Sequence, residues 1–399
     1  MNDSSSESYD LLIRGGTVVD PAAGLDAVRD VGVRDGVIAR IDTRIDPASA
    51  SRIIDAEDRL VVPGLIDGHA HVMDGVTPVG LRPDLIGVEA GVTTIVDAGS
   101  AGASTFAAFP RYIMPNAKTE ILPFLHVGRT GLATIPEVES ESDIDREASL
   151  AVIERHRQHI YGVKVRIVWP SFEALGMDLP RISRDIAREA GLPLMVHIGD
   201  TAGRLQSSAG RDALELLDRG DIVTHLFTHH AGGALDEDGT VWPQLRDAVD
   251  RGVMLDTAHG KGNFSFEVAR RILDQGIRPD CISTDLAAAG LQEVVFSLTD
   301  VMTRFLRLGF SVSEVIAMTT IKPATAAGVE HRLGTLGIGR QADISILDLR
   351  HGDFELEDAT GALLRAEQAF VPVLTVKRGE IFTPGWGPRP WGWEPRRIA

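Results

Sequence analysis

One recurrence limits what this chain can fold into more than any other feature. Apolar, β-branched runs begin at residue 61 (VVPGLIDGHAH), 91 (GVTTIVDAG), 120 (EILPFLHVG), 160 (IYGVKVRIVW), 192 (LPLMVHIG), 221 (DIVTHLFTH), 253 (VMLDTAHG) and 280 (DCISTDL). Most starts lie about 30 residues apart, the length of one strand-plus-helix unit. The runs are continuously apolar rather than alternating, as strands of a parallel sheet buried on both faces must be. Between them lie helical patterns such as SDIDREASLAVIERHRQHI and PRISRDIAREAG, with capping residues and glycine stops in place. Eight such units in series predict an α/β fold, a (β/α)8 TIM barrel spanning residues 63–328.

The ends have another rhythm. DLLIRGGTVVD and VGVRDGVIARI alternate apolar and polar residues around glycine turns, and the same character returns in ADISILDLR and AFVPVLTVKRGEIF. Neither segment alone buries much. Together they predict a small β-sandwich domain built from both termini, its first part residues 1–62 and its second, with the tail, 329–399. The tail PGWGPRPWGWEPRRIA cannot be regular. Its tryptophans (Trp386, Trp391, Trp393) are expected to pack on the chain's own surface or at a subunit contact.

Composition narrows the function. A formal net charge of −17 disfavours nucleic acid and anionic membranes as partners. No apolar run approaches the roughly 18 residues of a spanning helix, and MNDSSSESYD lacks the pattern of a signal peptide. The single cysteine, Cys281, excludes an internal disulfide and a thiolate metal cluster. These observations predict a cytoplasmic protein whose metal site, if it has one, is built from histidine and carboxylate or something less usual.

In such barrels chemistry sits at the C-terminal ends of the strands. His69 and His71 end the first run and, two residues apart on a strand, share one face. Lys164 lies within the fourth run, His197 ends the fifth, His225 is in the sixth and Asp285 ends the eighth. Barrel closure would bring these six side chains together. A lone strand histidine is more often a hydrogen-bonded core residue than a ligand. Lys164 is harder to place, because burying an ammonium costs several kcal/mol unless it is paired or neutralised. A carboxylate partner would relieve that cost; so would addition of CO2 to give an anionic carbamate. One metal pair answers the costs of all six residues together.

The stretch VVPGLIDGHAHV, the lysine of the fourth run, the histidines of the fifth and sixth, and STDL in the eighth resemble the amidohydrolase superfamily. More narrowly, VDAGSAG (96–102), GVKVR (162–166), VTHLF (223–227), AHGKGNFSF (258–266) and ISTDL (282–286) resemble its amidohydrolase/deacetylase metallohydrolase branch. That branch is related to dihydroorotases and includes hydrolases of N-acetyl amino acids and acetylated hydroxy acids. The likeness covers nearly the whole chain.

The resemblance implies two divalent metal ions, with His69 and His71 on the more buried one and His197 and His225 on the other. A CO2-derived carbamate on Lys164 would bridge them, and Asp285 would touch the buried ion and a bridging hydroxide. Zinc suits these donors; manganese, cobalt or iron could also occupy the site. The hydroxide would attack an amide or ester carbonyl, while Asp285 carries its proton to the leaving group.

A small, carboxylate-bearing substrate is expected, and a homo-oligomer by analogy. Arg166 shares the strand face of Lys164 nearer the mouth, where it could grip a carboxylate or pair with a neighbouring acid. His259 could contact substrate or steady Asp285. Arg129 and Lys261 are basic where the branch would usually carry small or polar residues; with His229 and His230 they could add positive charge or sit in solvated loops. Asp67 is expected to make a structural hydrogen bond beneath the metal. Three other readings compete: a cyclic-amide hydrolase acting on a dihydroorotate-, hydantoin- or allantoin-like ring, a deaminase, and a non-catalytic scaffold. A deaminase would usually lack the bridging lysine, and a scaffold should lack some of the six ligands.

Overall fold

The computed structural model describes residues 8–291 and 293–398; the opening MNDSSSE, part of the stretch read for a leader, lies outside them. Seven strands, Leu65–Ala70, Val92–Asp97, Glu120–His126, Gly162–Arg166, Leu194–His197, Ile222–Thr224 and Met254–Leu255, form a parallel sheet in chain order. Each lies within one of the apolar runs. The eighth run makes only single bridges, Cys281 beside Asp256 and Leu286 beside Ala70. Those two bridges join the seventh strand to the first and close the barrel, helped by Asp285 N donating to His69 O at 2.7 Å and His71 N to Leu286 O at 2.9 Å.

The helices between the strands are uneven for local reasons. Arg146–Arg155 is capped by the Asp145 carboxylate, which accepts from Ala148 N, and Asp178–Ala190 stops at Gly191 in the left-handed region. After the second strand the chain makes only a π turn at Phe109–Ile113 and a 3-10 turn at Met114–Asn116. Pro110 and Pro115 fall inside this stretch, and each removes a backbone donor that a longer α-helix would need. No helix of the described residues is long and apolar enough to cross a membrane.

Ile66, Leu122, Met195 and Ile222, all near the starts of their strands, pack with Ala324 and Val329 in one apolar cluster. Helix Ile321–Ala326 thereby plugs the N-terminal end of the barrel, and polar side chains are left to the opposite end. The chain ends meet in a separate nine-stranded sheet. Its junction is Leu60–Pro63, which runs antiparallel to the first residues of Ile344–Glu357, with Pro63 opposite Ile344 and Leu60 opposite Leu347. In the tail, Arg389 donates to Asp300 Oδ1 at 2.6 Å and Trp393 Nε1 to Gly385 O at 2.8 Å. Trp386 and Trp391 stay exposed.

Candidate metal centre

Strand ends deliver the side chains, and the backbone bends sharply where they do. Among the described residues six non-glycine positions have positive φ, and three of them are here: His225 (+71°), Ala258 (+35°) and Asp285 (+50°). Such conformations cost on the order of 1–3 kcal/mol each and persist where the surroundings force them, typically at functional sites. Two glycines make room. A Cβ on Gly99 would lie 2.7 Å from Cβ and Cγ of Lys164, and one on Gly260 would lie 2.4 Å from Asp285 Oδ2.

The six residues picked from the strand ends do converge. His69 Nε2 lies 3.3 Å from Lys164 Nζ and 3.4 Å from Asp285 Oδ1, and His71 Nε2 lies 3.3 Å from the same oxygen. Ring centroids of His69 and His71 are 5.6 Å apart, those of His69 and His225 5.1 Å, and those of His197 and His225 4.0 Å. Donor atoms of His69, His225 and Asp285 all lie within 4.8 Å of one another.

Whether these residues fit a cation can be judged from their hydrogen bonds. On three of the four imidazoles one nitrogen is engaged from outside and the other faces the cluster. His69 Nδ1 meets Thr224 Oγ1 at 2.9 Å, and Thr224 donates in turn to Asp256 at 2.6 Å. His71 Nδ1 meets Ser100 Oγ at 3.0 Å, which donates to Asp97 at 2.8 Å. His225 Nδ1 donates to Ala258 O at 2.8 Å, leaving Nε2 buried without a partner. His197 uses Nε2 instead, 3.3 Å from Gly199 O. Outer oxygens that orient a ring and leave one lone pair inward are the usual support of metal-ligating histidine. Burial pushes the His69 and His197 imidazoles well below their ordinary range and that of His225 down to about 3, so all three are in the neutral, ligating form. The donor set fits a divalent cation.

Lys164 is buried, and no carboxylate among the described residues reaches salt-bridge distance of Nζ; its neighbours are His69 and, at 3.6 Å, Met195 Sδ. Burial lowers its amine to about 7. Burial alone would raise Asp285, but the surrounding imidazoles of His71, His69 and His225 outweigh it and hold its carboxyl well below the usual carboxylate range.

Other residues singled out in the sequence take various places. Arg166 donates from Nη1 to both oxygens of Glu137, at 3.0 Å each. His259 is buried, stacks on Phe264 with centroids 4.3 Å apart, and leaves Nε2 unpartnered. Arg129 is half exposed and 3.5 Å from Asp145, while Lys261 pairs with Glu293 at 2.6 Å. The rings of His229 and His230 lie tilted against each other with centroids 4.1 Å apart, and His230 Nε2 is 2.9 Å from Gly262 O. Asp67 accepts from Thr284 Oγ1 at 2.6 Å and Thr284 N at 3.0 Å, tying the first strand to the eighth.

Sequence reasoning missed the outer carboxylates Asp97 and Asp256, the hydroxyls of Ser100 and Thr224, and the pair His126 and Glu137. Asp97 and Asp256 had a signal, since each is a carboxylate at the end of an apolar run. Glu137, in a loop, had none.

The amidohydrolase family profile matches residues 60–382, so the chain belongs to the amidohydrolase family. Over 365 residues it is 33% identical to a protein named Deacetylase from Brucella anthropi, covering 90% of this chain and 89% of that one. Among solved structures it is similar to a dihydroorotase, with TM-score 0.85 and 30% identity over 94% of this chain and 98% of that one. It is also similar to an adenine deaminase, with TM-score 0.86 and 28% identity over 94% of this chain and all of the other (100%). Family and relatives together make this chain a hydrolase of the metal-dependent kind.

Proposed function

We propose that this chain hydrolyses the amide, or ester, bond of small N-acyl amino acids or O-acyl hydroxy acids in the cytoplasm, using two divalent cations. The observation that carries the reading is Lys164: a buried amine among inward-facing imidazoles, with no carboxylate of the described residues at salt-bridge distance. Adding CO2 to its free amine, with loss of one proton, turns that neutral amine into an anion that has two donor oxygens. His69 and His71 would hold one ion, His197 and His225 the other, with the Lys164 carbamate between them and Asp285 on the first. Zinc best suits imidazole and carboxylate donors, and manganese, cobalt or iron could replace it. When bound, such a pair supplies water ionised at neutral pH and polarises a carbonyl.

The chain's own groups do the rest. Asp285, at 3.3 and 3.4 Å from His71 and His69, is placed to take a proton from the attacking water and return it to the departing nitrogen or oxygen. Arg166 meets the acid group of the substrate. His259, fixed against Phe264, supports the wall beside Asp285 through Gly260, and Arg129 lies at the rim.

Likeness to the protein named Deacetylase supports acyclic substrates, and likeness to the dihydroorotase favours the competing cyclic-amide reading. A panel of N-acetyl amino acids, dihydroorotate and hydantoins, run on metal-loaded protein, separates the two. Acetate release from the acyclic acids is expected. Ring opening without acetate release would overturn the proposal.

A further inference from the structure

We infer that Glu137 is a positioning residue that makes Arg166 the receptor for the substrate's carboxylate; this rests on the acid-bearing substrate proposed above. Arg166 ends the fourth strand, two residues beyond Lys164 and on the same strand face. Its Nη1 donates to both oxygens of Glu137. Its Nε and Nη2 have no hydrogen-bond partner among the described residues and are not among the buried polar atoms left unsatisfied, so they reach solvent. The Arg166 side chain is 21% exposed and that of Glu137 only 2%. One edge of the guanidinium is anchored in protein and the other is open. That open edge carries the paired N–H groups that grip a carboxylate in two-pronged fashion.

The anchor is itself firmly held. Glu137 sits in the loop after the third strand, which is fastened by Arg129 N to Asp143 O at 2.7 Å and by Ser171 Oγ to Val138 O at 2.8 Å. His126 stands behind it. Its Nδ1 accepts from Gly128 N at 2.9 Å, so its proton is on Nε2, which is buried, unpartnered and 3.9 Å from Glu137 Oε1. Burial works against the Glu137 anion, but Arg166 and His126 outweigh it and keep the carboxyl below its usual range. A purely structural ion pair would gain nothing from leaving half of one partner open beside the centre.

The test compares N-acetyl amino acids with their carboxamide-capped forms in the parent, Glu137→Ala, Glu137→Gln and Arg166→Ala. Calorimetric titration of the same metal-loaded proteins with benzoate and with benzamide gives a readout free of turnover. Glu137→Ala should raise KM for the acids by roughly 30-fold, the scale for truncating one partner of a buried charge pair, with a much smaller change in kcat. The capped forms should change little. Arg166→Ala should do the same, and the double variant should be no worse than either single. Glu137→Gln, which keeps an oxygen acceptor for Nη1, should fall between parent and Ala, guarding against a folding artefact. Benzoate affinity should fall in parallel, and benzamide affinity should not. An unchanged KM and benzoate affinity in Glu137→Ala overturns the inference, as does an equal loss for acids and capped forms. If the parent cleaves no N-acetyl acid yet benzoate binding still depends on Glu137, the substrate reading fails and the positioning role stands.

Discussion

Replacing Gly260 by alanine should disable the centre without substituting any of its proposed ligands. The new Cβ would lie 2.4 Å from Asp285 Oδ2, and the backbone there has φ of +56°. To regain an ordinary contact of roughly 3.5 Å the carboxylate must retreat by about 1 Å. The left-handed backbone adds a cost of about 1 kcal/mol for any residue with a Cβ. A misplacement of about 1 Å in a reacting group is worth on the order of 10²-fold in rate. Thus kcat should fall about 100-fold while thermal stability drops only a few degrees. Gly262→Ala is the control: in the same loop, its Cβ would come no nearer than 3.6 Å to anything, and its φ is ordinary. Steady-state kinetics on any amide the parent cleaves, with melting curves of both variants, decides the matter. Equal activity in Gly260→Ala and Gly262→Ala would refute the placement of Asp285 as the proton carrier.

Two further outcomes follow from the surroundings. Asp256→Asn removes the negative charge behind Thr224 and His69 and one of the two oxygens that accept from Thr224 and Ser283, and should weaken metal affinity by about 10–100-fold, read by chelator competition. Glu120 is paired with Lys377 and Arg332; burial opposes its ionisation, but the two cations win and hold it down to about 2 from an ordinary 4.5. A depressed folded-state carboxyl stabilises above its unfolded value and loses that contribution as pH falls. The protein should therefore lose on the order of 3 kcal/mol between about pH 5 and pH 2 from this group. Denaturant unfolding of Glu120→Gln across that window should show a flatter pH dependence.

The barrel was legible because a strand buried on both faces leaves little room for polar residues, so each run announced itself. Strand eight was legible as a run but makes only single bridges; its backbone bonds to both neighbours, and the hydroxyls of Thr284 and Ser283 donate to Asp67 and Asp256 as well. The six inner residues could be picked out since polar side chains at the ends of apolar strands are costly and therefore informative. The outer layer could not. Thr224 behind His69 and Ser100 behind His71 depend on contacts between residues 155 and 29 positions apart, and hydroxyls in strands and loops carry no cost that marks them. Glu137 depends on a loop path that no periodicity encodes. Arg166 illustrates the limit: its strand face was readable, while the acid it pairs with was not.

The central claim is that Lys164 becomes an anion joining two cations, and counting metal tests it most directly. Elemental analysis of protein purified from metal- and bicarbonate-supplemented cultures should give about two equivalents per chain, as the paired-ion arrangement requires. Lys164→Ala should lose most of both while keeping its fold by circular dichroism. Full retention of two ions in that variant, or none in the folded parent, would contradict the account.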